Sequence, residues 1–299
     1  MHNSSDLLAL IESKYGEMSK GQKIIADYIR EHYDKAAYMT ALKFGQTVGV
    51  SESTVVRFAS ELGFDGYPEL QTALQDLMRS KLTTVQRIEL STDKIGDGDI
   101  LDAVLHHDIE KIRRTLEETS RDDFNRAVDI ISSCHTIYII GARSSASLAQ
   151  FLSHYFDLIF PRVKLVHAST RSELFEQILR IDEKDALIAI SFPRYSRQTI
   201  EALKYANSRG TNVIAITDCA SSPLTQFSDC NLFAKSDMAS FVDSLVAPLS
   251  LINALIVAVS RRCSETVTRN LERLEEIWRE FEVYEPAKSG DDGGGKDSK

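Results

Sequence analysis

The chain has 299 residues, of which 43% are hydrophobic and 26% charged, and its formal net charge is −9 at pH 7. This length allows two domains with sizeable cores, and the composition excludes a disordered or fibrous protein. The negative charge excludes a protein that coats nucleic acid through bulk positive charge, so any contact with DNA has to be local.

The sequence carries no pattern for export, membrane insertion or metal binding. Its first residues lack the basic start and apolar run of a signal peptide. The longest apolar run, residues 245–260, contains Pro248 and Asn253 and is short for a membrane span. The four cysteines form no Cys-x-x-Cys pair, which fits a reducing compartment. We therefore expect a cytoplasmic protein with no membrane contact, no metal and no cofactor.

Four regions follow one another along the chain. Hydrophobic periodicity predicts helices throughout residues 7–77 and no strand. The polar, glycine-containing residues 81–100 predict a linker. Residues 286–299 are polar and glycine-rich, and we expect them to be disordered. The predicted domains are therefore an all-helical unit at 1–80 and a second unit at 101–285.

The second unit has the pattern of an α/β domain. From Thr136 onwards, five short apolar runs alternate with helical segments. Such runs, each followed by a helix, predict a doubly wound, five-stranded parallel sheet that is covered on both faces. A long apolar helix at about 241–262 is expected to pack on the sheet, before a charged C-terminal helix. Ligands of this fold bind at the carboxyl ends of the strands.

Residues 40–62, "TALKFGQTVGVSESTVVRFASEL", have the pattern of a helix-turn-helix. Gly49 suits a turn with positive φ, and Ser51 stands where the cap of the second helix is expected. Helical periodicity turns Glu52, Ser53, Thr54 and Arg57 outwards, where the motif contacts DNA. Arg57 is the strongest candidate, because a guanidinium can bind guanine or phosphate through two hydrogen bonds. The alternative is an ordinary helical hairpin. We expect a shared small core of six apolar residues: Leu42, Val48, Val50, Val55, Phe58 and Ala59.

The first strand leads into "IIGARSSASLA", residues 139–149. Gly141 allows a tight turn, and Ser144 and Ser145 fall at the start of the next helix, where free amides attract anions. The alternative is that the serines only cap this helix.

Both motifs resemble those of a known family. Residues 49–58, "GVSESTVVRF", and residues 62–67, "LGFDGY", resemble the helix-turn-helix of RpiR-type transcriptional regulators. Residues 141–149 resemble the start of the sugar isomerase (SIS) domain, a phosphosugar-binding fold that these regulators carry behind the helix-turn-helix. One departure is Gly45, where the family usually has alanine; since glycine costs about 1 kcal/mol in a helix, we expect it to loosen this one.

The third strand departs from the SIS pattern. Its phosphate loop typically reads S-x-S-G-x-T/S-x-x-T, whereas this chain has "SFPRYSRQT" at residues 191–199, with Pro193 and Arg194 in place of serine and glycine. Arg194 supplies a fixed positive fork that can bind phosphate or carboxylate. We therefore expect an anionic ligand, although an alternative is that Arg194 pairs with a nearby acid.

The resemblance implies a DNA-binding regulator whose operator affinity is controlled by an anionic, sugar-derived effector in the SIS domain. The alternative is a sugar-phosphate isomerase with a helical appendage, but no spacing assigns His154, His167 or Glu173 the role of its acid or base. We expect no catalytic residue, and a homodimer or homotetramer held by the helix at 241–262 and the C-terminal helix. The expected DNA contacts are Lys43, Ser51, Glu52, Ser53, Thr54, Arg57 and Tyr67; the expected effector contacts are Gly141, Arg143, Ser144, Ser145, Ser191, Arg194, Ser196 and Thr199.

Overall fold

The structure is a computed structural model that describes residues 7–81, 99–236 and 242–284. Most of the predicted linker, at 82–98, and the predicted tail lie outside these residues. The described parts comprise a helical domain before the linker and an α/β domain after it, as the sequence predicts.

The helical domain is built around one core. Side chains from every helix contribute to it, including Ile11, Ile29, Phe44, Phe58 and Leu70. A capping box fixes the start of the second helix, because Ser19 and Gln22 satisfy each other's backbone amides. The helices are α1 (Leu7–Lys14), α2 (Lys20–Ala36), α3 (Ala41–Val48), α4 (Glu52–Leu62) and α5 (Tyr67–Lys81).

The α/β domain has a sheet of five parallel strands in the order β2-β1-β3-β4-β5. From β1 the chain continues to β2 at the edge of the sheet, and it then crosses back over β1 to form β3 on the other side. The strand order therefore reverses beside β1. Its elements are α6 (Ile100–Glu118), α7 (Arg121–Ser133), β1 (Ile137–Gly141), α8 (Ser144–Ile159), β2 (Val163–Val166), α9 (Arg171–Ile178), β3 (Ala186–Ile190), α10 (Arg197–Ser208), β4 (Asn212–Thr217), β5 (Cys230–Phe233), α11 (Val246–Arg262) and α12 (Ser264–Glu280).

The sheet is covered on both faces, which explains why its central strands are almost continuously apolar. Side chains at alternate positions point to opposite faces. Ile139 and Ile188 pack with α7, α8 and α11 on one face. Ile140 and Leu187 pack with α9 and α10 on the other. The carboxyl ends of β1 and β3 are thereby left open between two layers of helices.

Among the described residues, no single helix is long and apolar enough to cross a membrane. The consecutive helices α11 and α12 reach that length and composition only together, and they are bent by 99° relative to each other.

Candidate functional sites

The turn between α3 and α4 has the geometry that the sequence predicts. Gly49 adopts a left-handed conformation with φ of 75°. Ser51 caps α4, because its Oγ accepts a hydrogen bond from the Thr54 amide at 3.2 Å. The Val50 amide donates to the Gly45 carbonyl at 2.9 Å and closes the turn. The two helices therefore form a helix-turn-helix.

The predicted core of this motif is right in α4 and wrong at one position of α3. Val55, Phe58 and Ala59 are buried, but Leu42 is 53% exposed. Phe44 and Gly45 are the residues of α3 that turn inwards. Not every apolar residue near the start of a helix lies on its buried face. Leu42 lies one position outside the buried face of α3.

Gly45 has a packing role that the comparison with alanine did not predict. A Cβ atom at this position would lie 2.7 Å from the Val50 carbonyl oxygen, and Val50 is part of the turn backbone. Glycine is thus what allows α3 to contact the turn so closely.

The Gly45→Ala variant is expected to be less stable than the wild type by about 1–3 kcal/mol, the usual cost of overpacking. Helix propensity alone predicts the opposite sign, since alanine is favoured over glycine in helices. Urea unfolding of the full chain measures the difference. The matched control is Gly16→Ala, because a Cβ atom there meets nothing within 4 Å. Equal or greater stability of the Gly45→Ala variant would show that the turn moves aside.

The outer face of α4 presents polar side chains to solvent. Glu52 and Ser53 are exposed, and the Arg57 side chain is 78% exposed. Its ion pair with Glu61 is 4.0 Å long, and such surface pairs contribute little. Thr54 is half-buried, and its Oγ1 lies 2.8 Å from the Ser51 Oγ. Arg57 is therefore the positively charged side chain of α4, and it can reorient towards a ligand at a small cost in free energy.

The two remaining predicted DNA contacts differ from each other. Lys43 is exposed on α3. Tyr67 is buried, and its hydroxyl donates to the Met39 carbonyl at 2.6 Å. Burial raises the pKa of Tyr67 to about 12. The prediction of a DNA contact at Tyr67 is therefore wrong: this side chain ties α5 to the segment between α2 and α3.

Lys20 is a candidate contact that the sequence pattern did not suggest. A Cβ atom at Gly21 would lie 3.3 Å from the Thr54 side chain and 3.7 Å from Val50. The first turn of α2 is thus beside the first turn of α4, and Lys20 is exposed there. Since helix starts and lysines both attract phosphate, this end of α2 extends the polar surface. In the sequence, the capping box at Ser19 was the feature that marked this helix start.

A polar cleft of about 210 Å³ lies at the carboxyl ends of β1 and β3. The strand order reverses beside β1, so the cleft occupies the position where ligands of open α/β sheets bind. It combines the turn after β1, the turn after β3 and one residue before α11. Six of the eight predicted effector contacts meet there: Arg143, Ser144, Ser145, Ser191, Arg194 and Ser196.

The two arginines of the cleft both have a backbone conformation that is unusual for residues other than glycine. Arg143 has a φ of 58° and Arg194 a φ of 65°. Such conformations cost about 1–3 kcal/mol and cluster at functional sites. In the SIS pattern the Arg194 position is glycine, which adopts positive φ without strain. The turn after β3 therefore has a positive φ at Arg194, the position where the SIS pattern has glycine, and it carries a guanidinium there.

The serines of the cleft hold its turns in place while keeping hydroxyl groups available. Ser191 Oγ accepts a hydrogen bond from the Ser196 amide at 3.0 Å. Ser196 Oγ accepts one from the Thr199 amide at 3.3 Å. Because each oxygen accepts here, its hydroxyl hydrogen is left to donate elsewhere. These residues can stabilise an anion as well as cap α10.

Gly141 and Thr199 are not among the described residues that line the cleft, and their role as effector contacts stays a prediction. A Cβ atom at Gly141 would lie 2.4 Å from the Ser145 carbonyl oxygen, so this glycine allows α8 to pack against β1. Thr199 is completely buried, and its Oγ1 has no hydrogen-bond partner within the described ranges 7–81, 99–236 and 242–284. Both residues shape the turns beside the cleft.

Asp243 and Asp218 are acidic residues at or near the cleft that sequence reasoning missed. Asp243 lines the cleft, and its Oδ2 accepts a hydrogen bond from Ser144 Oγ at 3.4 Å. Asp218 is buried at the end of β4 and accepts a hydrogen bond from the Tyr195 hydroxyl at 2.8 Å. This bond anchors the turn that carries Arg194. Burial raises the pKa of the Asp218 carboxyl.

The raised pKa of Asp218 predicts a pH dependence of stability. The folded state keeps the proton at pH values where the unfolded carboxyl, with a pKa of about 3.9, has lost it. Stability is therefore gained as pH falls through the folded pKa and is lost as pH rises through it. We expect the wild type to gain stability relative to Asp218→Asn between pH 7 and pH 4 in urea unfolding. Parallel pH profiles would contradict this assignment.

Two family models match the chain. One, described as a helix-turn-helix domain of the rpiR family, matches residues 5–81. The other, described as a SIS domain, matches residues 130–258. The chain thus carries a helix-turn-helix domain of the rpiR type followed by a SIS domain. Its SIS domain is the α/β unit whose cleft is described above, and its helix-turn-helix is the α3–α4 motif.

Relatives and solved structures resemble the chain in the same two regions. The HTH-type transcriptional regulator HexR of Pseudomonas aeruginosa is 25% identical over 277 residues, which are 91% of this chain and 95% of that protein. The sugar isomerase domain of an RpiR transcription factor from Sphaerobacter thermophilus is 26% identical, with a TM-score of 0.57 over 60% of this chain and 99% of that one. The NanR protein of Vibrio vulnificus, solved in complex with ManNAc-6P, is 21% identical, with a TM-score of 0.58 over 92% of this chain and 98% of that one.

Proposed function

We propose that the protein is a transcriptional regulator whose affinity for its operator is controlled by an anionic, sugar-derived metabolite bound in the SIS cleft. The observation that carries this proposal is the presence, in one chain, of an exposed Arg57 on a helix-turn-helix and an arginine-serine cleft in a SIS domain. HexR, one of the relatives named above, is itself an HTH-type transcriptional regulator. We expect the protein to act in the cytoplasm, where its operator is.

The composition of the cleft supports an anionic ligand that also carries hydroxyl groups. Arg143 and Arg194 supply positive charge, and the start of α8 supplies amide dipoles. Asp243 supplies an acceptor for a hydroxyl or amine of the ligand. A sugar phosphate or sugar acid has both kinds of group. ManNAc-6P, the ligand of the NanR structure, belongs to this class.

For the helical domain, we propose that α4 enters the major groove. Arg57, Ser53 and Glu52 would face base edges, and Lys43, Ser51, Thr54 and the start of α2 would hold phosphates. We further propose that the protein is a homodimer or homotetramer. A dimer places two such helices on half-sites about 34–36 Å apart or a multiple of that distance, so the operator is pseudo-palindromic.

A series of hydrogen-bonded residues can transmit a change in the cleft towards the helical domain. Asp243 lines the cleft, and the hydroxyl of the next residue, Ser244, donates to Asp108 on α6 at 2.6 Å. Asp108 also pairs with the buried Lys111 at 3.2 Å. Since α6 directly follows the linker, a ligand that displaces Asp243 changes the anchoring of the helix to which the linker is joined.

The second candidate function is a sugar-phosphate isomerase. The observation in its favour is the Asp243 carboxylate within the cleft, which is a possible general base. His154, His167 and Glu173 are not among the residues that line the cleft. Glu173 instead accepts a hydrogen bond from the Ser169 amide at 2.7 Å.

A thermal-shift screen of the purified protein against sugar phosphates, sugar acids and inorganic phosphate tests the ligand class. A ligand at 100 times its Kd is expected to stabilise the native state by about 2.7 kcal/mol, which raises the Tm. NMR spectra of each hit after incubation test for conversion. An unchanged ligand supports a regulator, a converted ligand supports the isomerase, and the absence of any hit among sugar anions contradicts the proposed ligand class.

A further inference from the structure

Val56 is an apolar residue on the solvent-facing side of α4, where its side chain is 39% exposed. Residues of one helix that are three or four positions apart lie on the same face. Val56 is three positions after Ser53 and four before Ser60, and both serines are exposed. The polar face of α4 thus carries one apolar side chain. The other four apolar residues of this helix are buried: Val55, Phe58, Ala59 and Leu62.

The position of Val56, rather than its exposure, makes it a candidate for a contact. Single exposed apolar residues are common on protein surfaces and need no partner. Val56, however, directly precedes Arg57, whose side chain is 78% exposed, and it lies about one turn after Ser53. Under the proposed function, this face of α4 enters the major groove. Val56 is therefore in the middle of the surface that meets the base edges.

We propose that Val56 packs against the 5-methyl group of a thymine in each half-site of the operator and thereby selects thymine at that position. This inference rests on the proposed function and assigns part of its sequence specificity to one residue. In the major groove, the 5-methyl group distinguishes thymine from the other three bases. A valine side chain neither donates nor accepts a hydrogen bond. Against another base it gains no methyl contact and covers polar groups that then lack a partner.

The geometry of α4 also predicts where this thymine lies. Val56 and Arg57 are consecutive residues, so their Cα atoms are about 1.5 Å apart along the helix axis. Successive base pairs are about 3.4 Å apart along DNA. The two side chains therefore reach the same base pair or close neighbours. We expect the thymine to lie within about two base pairs of the nucleotide that Arg57 contacts.

Fluorescence anisotropy of the full chain with two forms of one DNA fragment tests the contact. The fragment comes from the promoter upstream of the protein's own gene. In its second form, deoxyuridine, which lacks only the 5-methyl group, replaces every thymine. The wild type should bind the second form about fourfold more weakly for each half-site, which corresponds to the roughly 0.8 kcal/mol of one buried methyl group. The Val56→Ser variant should bind both forms with equal affinity.

Controls separate a DNA contact from a structural role of Val56. Val56→Ile keeps a branched aliphatic side chain and should retain the difference between the two forms. Ile277→Ser changes an apolar side chain of similar exposure, 41%, on α12 of the SIS domain, and it should behave as the wild type. Urea unfolding should give Val56→Ser nearly wild-type stability, because serine and valine have similar helix propensities and the position is exposed.

Replacement of thymines one at a time locates the contact. One sensitive thymine is expected in each half-site, at positions related by the symmetry of the operator, and Val56→Ser should be insensitive to both replacements. Equal affinity of the wild type for the two complete forms, or a difference of the same size in Val56→Ser, would overturn the inference and leave the proposed function intact. Absence of specific binding of the wild type to the fragment would contradict the proposed function and the inference together.

Discussion

The Arg194→Ala variant is expected to lose the response to the effector while keeping its operator affinity in the absence of effector. Arg194 lines the cleft, and hydrogen bonds to a charged partner are worth about 1.5–3 kcal/mol. Effector affinity should therefore fall by about 10- to 150-fold, as measured by isothermal titration calorimetry with the ligand found in the screen. Operator affinity without effector should not change, because the substitution is in the SIS domain.

Two further variants separate charge from backbone strain. Arg194→Gly removes the guanidinium but accepts the φ of 65° without strain, so it should be more stable than Arg194→Ala yet bind the effector equally weakly. Arg197→Ala is the matched control, because Arg197 is 88% exposed and pairs with Glu201 outside the cleft. Unaltered effector affinity in both Arg194 variants would rule out a role for this arginine.

The Arg57→Ala variant is expected to bind the operator more weakly by about 1–3 kcal/mol for each half-site. A dimer makes the contact twice, so the total loss is about 2–6 kcal/mol if the two contribute independently. Protein stability should hardly change, since Arg57 is exposed and forms only a long ion pair. A gel-shift titration measures the affinity, and urea unfolding measures the stability.

A control and a salt series sharpen the result for Arg57. Arg30→Ala removes another exposed arginine, on α2, that pairs with Glu12 and Asp27, and it should leave operator affinity unchanged. If Arg57 reads a base, its loss relaxes sequence preference at one position of the operator. If it holds a phosphate, affinity falls for all sequences and the salt dependence becomes less steep. Wild-type affinity of Arg57→Ala would contradict both roles.

Local sequence patterns predicted the elements of this fold well, because its determinants are local. The central strands read as apolar runs since both faces of the sheet are buried. The turn at Gly49 and the cap at Ser51 depend on backbone geometry that few residue types satisfy. Helical periodicity predicted that Arg57 is exposed, once the cap residue had marked the start of α4.

Sequence patterns were least informative where tertiary packing decides the role of a residue. Tyr67 and Thr199 fall within family motifs, but their neighbours in space bury them. Gly141 is required by the close approach of α8, which its position after a strand did not reveal. Asp243 is distant in sequence from the other cleft residues, so only the folded chain brings it to Ser144.

Fluorescence anisotropy of a labelled promoter fragment from upstream of the protein's own gene tests the central claim most directly. The Kd is measured with and without a saturating concentration of the ligand from the thermal-shift screen. We predict that the ligand changes the Kd by about 5- to 150-fold, the range of typical couplings between sites, and that Arg194→Ala removes the change at the same ligand concentration. Equal Kd values with and without ligand, under conditions where calorimetry shows the cleft to be occupied, would contradict control of DNA binding by the SIS domain.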